Sequence, residues 1–109
     1  MTTAHYKLDN VVAIVDYNNL QIDGKVSDVM EVYPIADKFR AFNWHVIEID
    51  GLNYEQIIAA FEEARTVKGK PTVIVAKTAK GKGVSFMENN GDYHGKAPSD
   101  DEYARAMEE

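Results

Sequence analysis

The sequence predicts an α/β domain: a parallel sheet of about three strands with helices on its faces. Three observations carry this. Val11-Val12-Ala13-Ile14-Val15 and Thr72-Val73-Ile74-Val75-Ala76 are short, unbroken apolar runs rich in β-branched residues, the pattern of strands buried on both faces. His45-Val46-Ile47-Glu48-Ile49 is a third run, more alternating and so nearer an edge. Stretches of helical period lie between them, and strand–helix–strand order calls for right-handed crossovers and parallel pairing.

The first run ends in Asp16-Tyr17-Asn18-Asn19, and D-Y-N-N-L-Q-I-D-G reads as a polar turn, an alternating piece and a second turn. Pro34 then suits a helix start, where its missing N–H costs nothing. Ile35, Phe39 and Phe42 follow at i, i+4 and i+7 as one apolar stripe. After the second run, Asn53 and Gln56 resemble a capping box. Ile57, Ile58, Phe61 and Ala64 are the expected buried face of that helix, with Gly69 and Pro71 closing it. Residues 79–97 carry Gly81, Gly83, Gly91 and Gly95 and no period, which predicts a long loop. Ser99 with Glu102 is a second capping-box pattern and predicts a short helix over about 99–107.

The 109 residues suit one domain, residues 1–109, and no internal repeat divides them. A net charge of −6 argues against nucleic acid or a membrane surface as partner, since both recruit basic patches. The absence of cysteine excludes disulfides, thiolate nucleophiles and thiolate metal sites. The apolar runs fall far short of the roughly 20 residues that span a bilayer. Residues 1–10 lack the charged-then-apolar order of a signal peptide, so the expectation is a soluble, cytoplasmic protein.

All three strands run into polar residues, and open parallel sheets bind ligands beyond their carboxyl ends. Polar strand ends are also what any strand entering a surface loop shows. In the segment after the first strand, an asparagine amide oxygen and a backbone carbonyl two residues on can face one point as hard ligands for Mg²⁺ or Ca²⁺. Two neutral oxygens need a carboxylate or phosphate to complete such a site. Lys80-Gly81-Lys82-Gly83 suggests a phosphate cradle but lacks the spacing of a P-loop.

Four blocks, V-V-A-I-V-D-Y-N-N-L-Q-I-D-G, A-F-N-W-H-V-I-E-I-D-G, K-P-T-V-I-V-A-K-T-A-K-G-K-G-V and Y-H-G-K-A-P, resemble transketolase, most of all the amino-terminal subunit of transketolases split over two chains. The similarity runs from about His5 to the end. It implies a domain that binds thiamine diphosphate through Mg²⁺ or Ca²⁺ and serves two-carbon ketol transfer between sugar phosphates. It also implies the strand order 1-3-2.

By the same resemblance Asn18 and the Leu20 backbone carbonyl fall on metal-ligand positions, and Asn18, Leu20, Ile22 and His94 on cofactor-binding ones. His94 is the implied catalytic group. The family's Gly-Asp-Gly block, source of the aspartate ligand, has no counterpart; Gly91-Asp92-Tyr93 is on the wrong side of Asn18. Asn43 stands where the family often has glycine, and Leu52 where histidine often follows Asp-Gly. Asn18 equally suits a turn residue in a left-handed conformation, and His94 a solvent-exposed imidazole. Asp16 and Asp50 suit caps or bonds to nearby backbone, and Trp44 suits packing.

The expectation is therefore a partial transketolase-like diphosphate-binding domain that is inactive alone. A partner transketolase chain that completes the site is the alternative, and a small α/β phosphate- or protein-binding module a further one. Without the neighbouring strand, the edge from Val11 to Val15 is expected to drive self-association as a homodimer.

Overall fold

A computed structural model describes all 109 residues. Their contacts form two compact units, Met1–Tyr17 with Val32–Thr78, and Asn18–Glu31 with Ala79–Glu109.

With elements numbered along the whole chain, the first unit holds α1 (Thr2–His5), β1 (Val12–Tyr17), α3 (Ile35–Ala41), β4 (His45–Asp50), α4 (Tyr54–Thr66) and β5 (Thr72–Lys77). The second unit contributes β2 (Leu20–Gln21), β3 (Gly24–Lys25), α2 (Val26–Val29), a 3₁₀ turn at Gly91–Tyr93 and α5 (Asp100–Glu108).

The three long strands form one parallel sheet in the order β1-β5-β4. Ile14 pairs with Ile74 and Ile74 with Ile47, so one row of isoleucines crosses all three strands. The chain moves two places across the sheet from β1 to β4, then one place back to β5. With both crossovers right-handed, α3 and α4 must cover opposite faces. The side-chain contacts agree: Arg40 of α3 meets Glu48 at 2.6 Å, whereas His45, on the other face of the same strand, meets Glu63 of α4 at 2.6 Å.

β5 is central and loses water on both faces: Thr72 through Ala76 are all buried, Val73 and Ile74 to 0% and 2% exposure. Its unbroken apolar run is the sequence consequence of that position. β1 reads almost the same but behaves differently. Val12, Ile14 and Asp16 are exposed, Ile14 to 59%, while Ala13, Val15 and Tyr17 are half-buried. Burial on both faces, read from the unbroken apolar run, is corrected for β1, whose place at the sheet edge is the one the order 1-3-2 implied. β4 is the other edge, as its alternation predicts.

The helices follow their sequence signals with three corrections. Pro34 is the residue before the α3 helix, and the buried side is Ala36 with half-buried Ile35 and Phe39; Phe42 sits past the end, exposed. On α4 the buried residues are Ala60 and Ala64, with Ile57 half-buried, whereas Ile58 and Phe61, both expected inside, are 62% and 39% exposed. Small residues let that helix approach the sheet closely, and a larger side chain at 58 is turned outward. Helix α4 also stops at Thr66, so Gly69 is not its cap; the Gly69 N–H donates to Asp9 Oδ2 at 3.0 Å instead.

Capping is partly shared. Asn53 Oδ1 accepts from Gln56 N at 3.1 Å, but the Gln56 side chain accepts from Asp50 N at 2.8 Å rather than closing the box on Asn53. The same glutamine thereby ties the end of β4 to the start of α4. Trp44 packs edge-on against Phe39, with centroids 5.3 Å apart at 77°.

Candidate functional site

Within the first unit, the carboxyl ends of the strands are cross-linked by short polar contacts. Asp16 of β1 accepts from the Thr78 hydroxyl just beyond β5. Asp50 Oδ1 accepts from Leu52 N at 2.9 Å, the bond to nearby backbone expected of it. Gly51 N donates to the Lys77 carbonyl at 2.8 Å, continuing the β4–β5 ladder by one residue. A Cβ at Gly51 would meet Thr78 Cγ2 at 2.7 Å and Ala76 Cβ at 2.9 Å, so only glycine fits this approach. Beneath Asp16 and Thr78 lies a pocket of about 240 Å³ with an apolar floor of Ile14, Ile49, Ile57, Phe61 and Ile74. Leu52 is exposed at its strand end.

Within the second unit, the segment after β1 folds as the sequence suggests, a turn leading into a short piece of strand and a second turn. Asn18 Oδ1 accepts from Leu20 N at 2.9 Å, an Asx turn. The left-handed residue is Asn19, φ +62°, not Asn18. β2 and β3 then pair antiparallel, Leu20 with Lys25 and Gln21 with Gly24, with Ile22 and Asp23 at the exposed tip. Val26 N donates to the Asn19 carbonyl at 2.9 Å and starts α2, a helix that lacks a sequence cap and is too short for its period to be read.

The long loop 79–97 is not featureless. Glu88 Oε1 accepts from Gly83 N at 3.1 Å and sits 3.1 Å from Lys82 Nζ, and these two contacts, in that order, hold its carboxyl below the usual glutamate value. Lys82 is therefore engaged within the loop, which weakens the phosphate-cradle reading further. Glu109 accepts from both the hydroxyl and the N–H of Ser85, at 2.6 and 2.5 Å, and is likewise lowered. Glu102 closes the predicted capping box with Ser99 and also accepts from the Tyr93 hydroxyl at 2.8 Å. The Ser99 N–H and then that hydroxyl hold Glu102 low, while Glu102 raises the Tyr93 phenol. His94 follows Tyr93 with its side chain exposed and its N–H donating to the Gly91 carbonyl at 2.9 Å. None of these glutamate tethers has a local sequence signal except the Ser99–Glu102 box; Ser85 and Glu109 are 24 residues apart.

The four residues singled out from sequence, Asn18, Leu20, Ile22 and His94, all belong to this one unit. No group of three His, Asp or Glu side chains is gathered in a metal-binding cluster. The donors that the Asn18–Leu20 turn can offer, a carboxamide oxygen and a peptide carbonyl, are hard and neutral. They suit Mg²⁺ or Ca²⁺ in kind and fall short in charge, so an anionic ligand must complete the set.

Comparison with known proteins agrees with this architecture. The family model described as transketolase, thiamine diphosphate binding domain, matches residues 1–109. The chain belongs to that family, and its strand order is the 1-3-2 that the resemblance implied. It is 41% identical over 103 residues to the 6-deoxy-6-sulfo-D-fructose transketolase subunit of a Clostridium species, covering 94% of this chain and 38% of that protein. It is 40% identical over 109 residues to one of the subunits of the apulose-4-phosphate transketolase of Phocaeicola vulgatus, covering 100% of this chain and 39% of that protein. The crystal structure of transketolase from Campylobacter jejuni superposes with a TM-score of 0.88 at 33% identity, over 98% of this chain and 17% of that one. The chain thus spans about two fifths of the length of the curated relatives it matches.

Proposed function

We propose that this chain is the part of a thiamine-diphosphate-dependent transketolase that lends the diphosphate's metal two neutral oxygens, Asn18 Oδ1 and the Leu20 carbonyl. Ile22 and His94 would flank the cofactor, and His94 would lie near the reacting centre. The observation that carries this reading is the Asx turn at Asn18, which sets the carboxamide oxygen and the Leu20 peptide in one turn directly after a parallel strand. The metal is Mg²⁺ or Ca²⁺, because the donors are all oxygen. Thiamine diphosphate supplies the carbanion chemistry of ketol transfer, and the chain's task is to bind and orient it.

The carboxylate that completes the metal site, and the domain that grips the aminopyrimidine ring, lie outside these 109 residues. Both relatives described above carry the word subunit in their names, which favours a partner transketolase chain as one source. The 109 residues are expected to be inactive by themselves. A cytoplasmic setting belongs to the same reading, as does the lack of cysteine; no helix is long and apolar enough to cross a membrane.

Calorimetric titration of thiamine diphosphate with Mg²⁺ is the test. The chain alone should give no saturable heat at millimolar cofactor. Mixed with a transketolase chain that carries the Gly-Asp-Gly block, it should bind, and Asn18→Ala should weaken that binding at least about tenfold, as loss of a metal-orienting group does. Unchanged affinity in Asn18→Ala would remove the assignment. Saturable Mg²⁺-dependent binding by the chain alone would overturn the claim that the site needs an outside carboxylate.

The free edge of β1, with Val12 and Ile14 exposed on one face, supports self-association as a two-fold dimer. Sedimentation velocity over a rising concentration series should show a dimer, weakened by Ile14→Lys. A monomer at the highest concentration rules the dimer out.

A further inference from the structure

The ring of Tyr93 is held on three sides. Phe86 lies against it with centroids 6.1 Å apart, Lys96 Nζ sits 5.2 Å from its centroid, and its hydroxyl donates to Glu102 Oε1 at 2.8 Å. Glu102 is itself fixed, because its other oxygen accepts from Ser99 N at 2.8 Å inside a complete capping box. Arg105, one turn along α5, lies 4.6 Å from the centroid of Phe86, so both rings are fastened to the same helix. His94 is the next residue, exposed, and Gly95 beyond it turns the chain with φ +75°. From Gly95 to Pro98 there is no helix or strand to hold the backbone. The backbone at His94 is therefore held from its N-terminal side, by its own N–H bond to the Gly91 carbonyl and by the anchored Tyr93 before it.

We infer that the Tyr93–Glu102 hydrogen bond is a clamp that positions His94, making Tyr93 and Glu102 positioning residues for the site; the functional meaning rests on the reading that puts His94 beside the cofactor. The design is economical in physical terms. A capping glutamate has two oxygens, and the box at the start of α5 uses one on the helix while the other reaches the loop. A phenol to carboxylate bond is charge-assisted and directional, so it fixes Tyr93 better than ring packing alone. A side chain that must meet a ligand needs this kind of support from groups behind it.

Backbone ¹⁵N relaxation on the 109-residue chain tests the clamp without any cofactor. In the unaltered chain, His94 and Gly95 should show order parameters near 0.85, roughly the rigid-backbone value, and in Tyr93→Phe these should fall below about 0.6. Helix α5 should keep its values, because Glu102 still caps it. Glu102→Gln, whose oxygen can accept from Ser99 N while its amide N–H donates to the Tyr93 oxygen, should leave His94 ordered, and Glu102→Ala should not. Equal order at His94 in the unaltered chain and Tyr93→Phe overturns the clamp, as does loss of α5 in Tyr93→Phe, which would make the bond merely structural. Titration of thiamine diphosphate with Mg²⁺ into the assembled enzyme then separates the two ideas. If Tyr93→Phe loosens His94 while neither it nor His94→Ala changes cofactor affinity, the clamp stands and the cofactor reading of His94 falls.

Discussion

Ile74→Ala is expected to destabilise the chain by about 2–5 kcal/mol, the range for removing most of a large aliphatic side chain from a packed core. Ile74 is 2% exposed, sits on the central strand, and pairs in register with Ile14 on one side and Ile47 on the other. Its neighbours are held by ladders on both sides, so they have little freedom to collapse into the space. The loss is large beside the roughly 5–15 kcal/mol that holds a domain of this class together. Urea unfolding followed by circular dichroism should show the midpoint drop sharply, with a thermal midpoint lower by about 10 °C or more. Ile58→Ala supplies the contrast: at 62% exposure its effect should stay within about 0.5 kcal/mol. Similar losses at the two positions would mean that the core is not centred on β5.

That contrast also marks what the sequence could and could not reveal. The sheet was legible because a central parallel strand must be apolar at every position, and Thr72 to Ala76 is. β1 carries the same pattern, yet its exposure depends on which residues flank it in space, and no periodicity encodes that. On α4 the apolar stripe was visible but its phase was not. Ile57, Ile58 and Phe61 look interchangeable as letters, whereas Ala60 and Ala64, inconspicuous because they are small, are the helix's buried residues. Capping boxes are readable where both partners lie three residues apart and have no competing role, as at Ser99 and Glu102. They mislead where the second partner has a better acceptor role elsewhere, as Gln56 has at Asp50 N. The site was legible only as a set of residue types. Asn18 and Leu20 can be picked out from the letters, but the Asx turn that joins Asn18 Oδ1 to Leu20 N, the left-handed Asn19 between them and the tie from Tyr93 to Glu102 are products of the fold.

Gly81→Ala is expected to strain the loop that leads to His94 by about 2–5 kcal/mol, and Gly83→Ala by about 1–2 kcal/mol. Both glycines have positive φ, +70° and +97°, where an L side chain costs about 1–2 kcal/mol. They differ in what a Cβ would meet. At Gly83 there is nothing within 4 Å, whereas at Gly81 the Met87 carbonyl oxygen stands at 2.4 Å and its carbon at 2.7 Å. Those atoms are backbone and cannot rotate away, so the clash adds about 1–3 kcal/mol of overpacking. The turn around them is closed by Asn89 N to the Lys80 carbonyl at 2.8 Å and by Val84 N to the Gly81 carbonyl at 3.2 Å. A loop can relieve strain by opening locally, so the effect belongs first in hydrogen exchange and only partly in global unfolding. The Asn89 and Val84 amides should exchange faster in Gly81→Ala than in Gly83→Ala, about tenfold for each 1.4 kcal/mol of difference. Equal acceleration in the two variants would mean that Met87 does not press on Gly81 in solution, and the loop would then be held by its glutamate tethers rather than by this close approach of backbone to backbone.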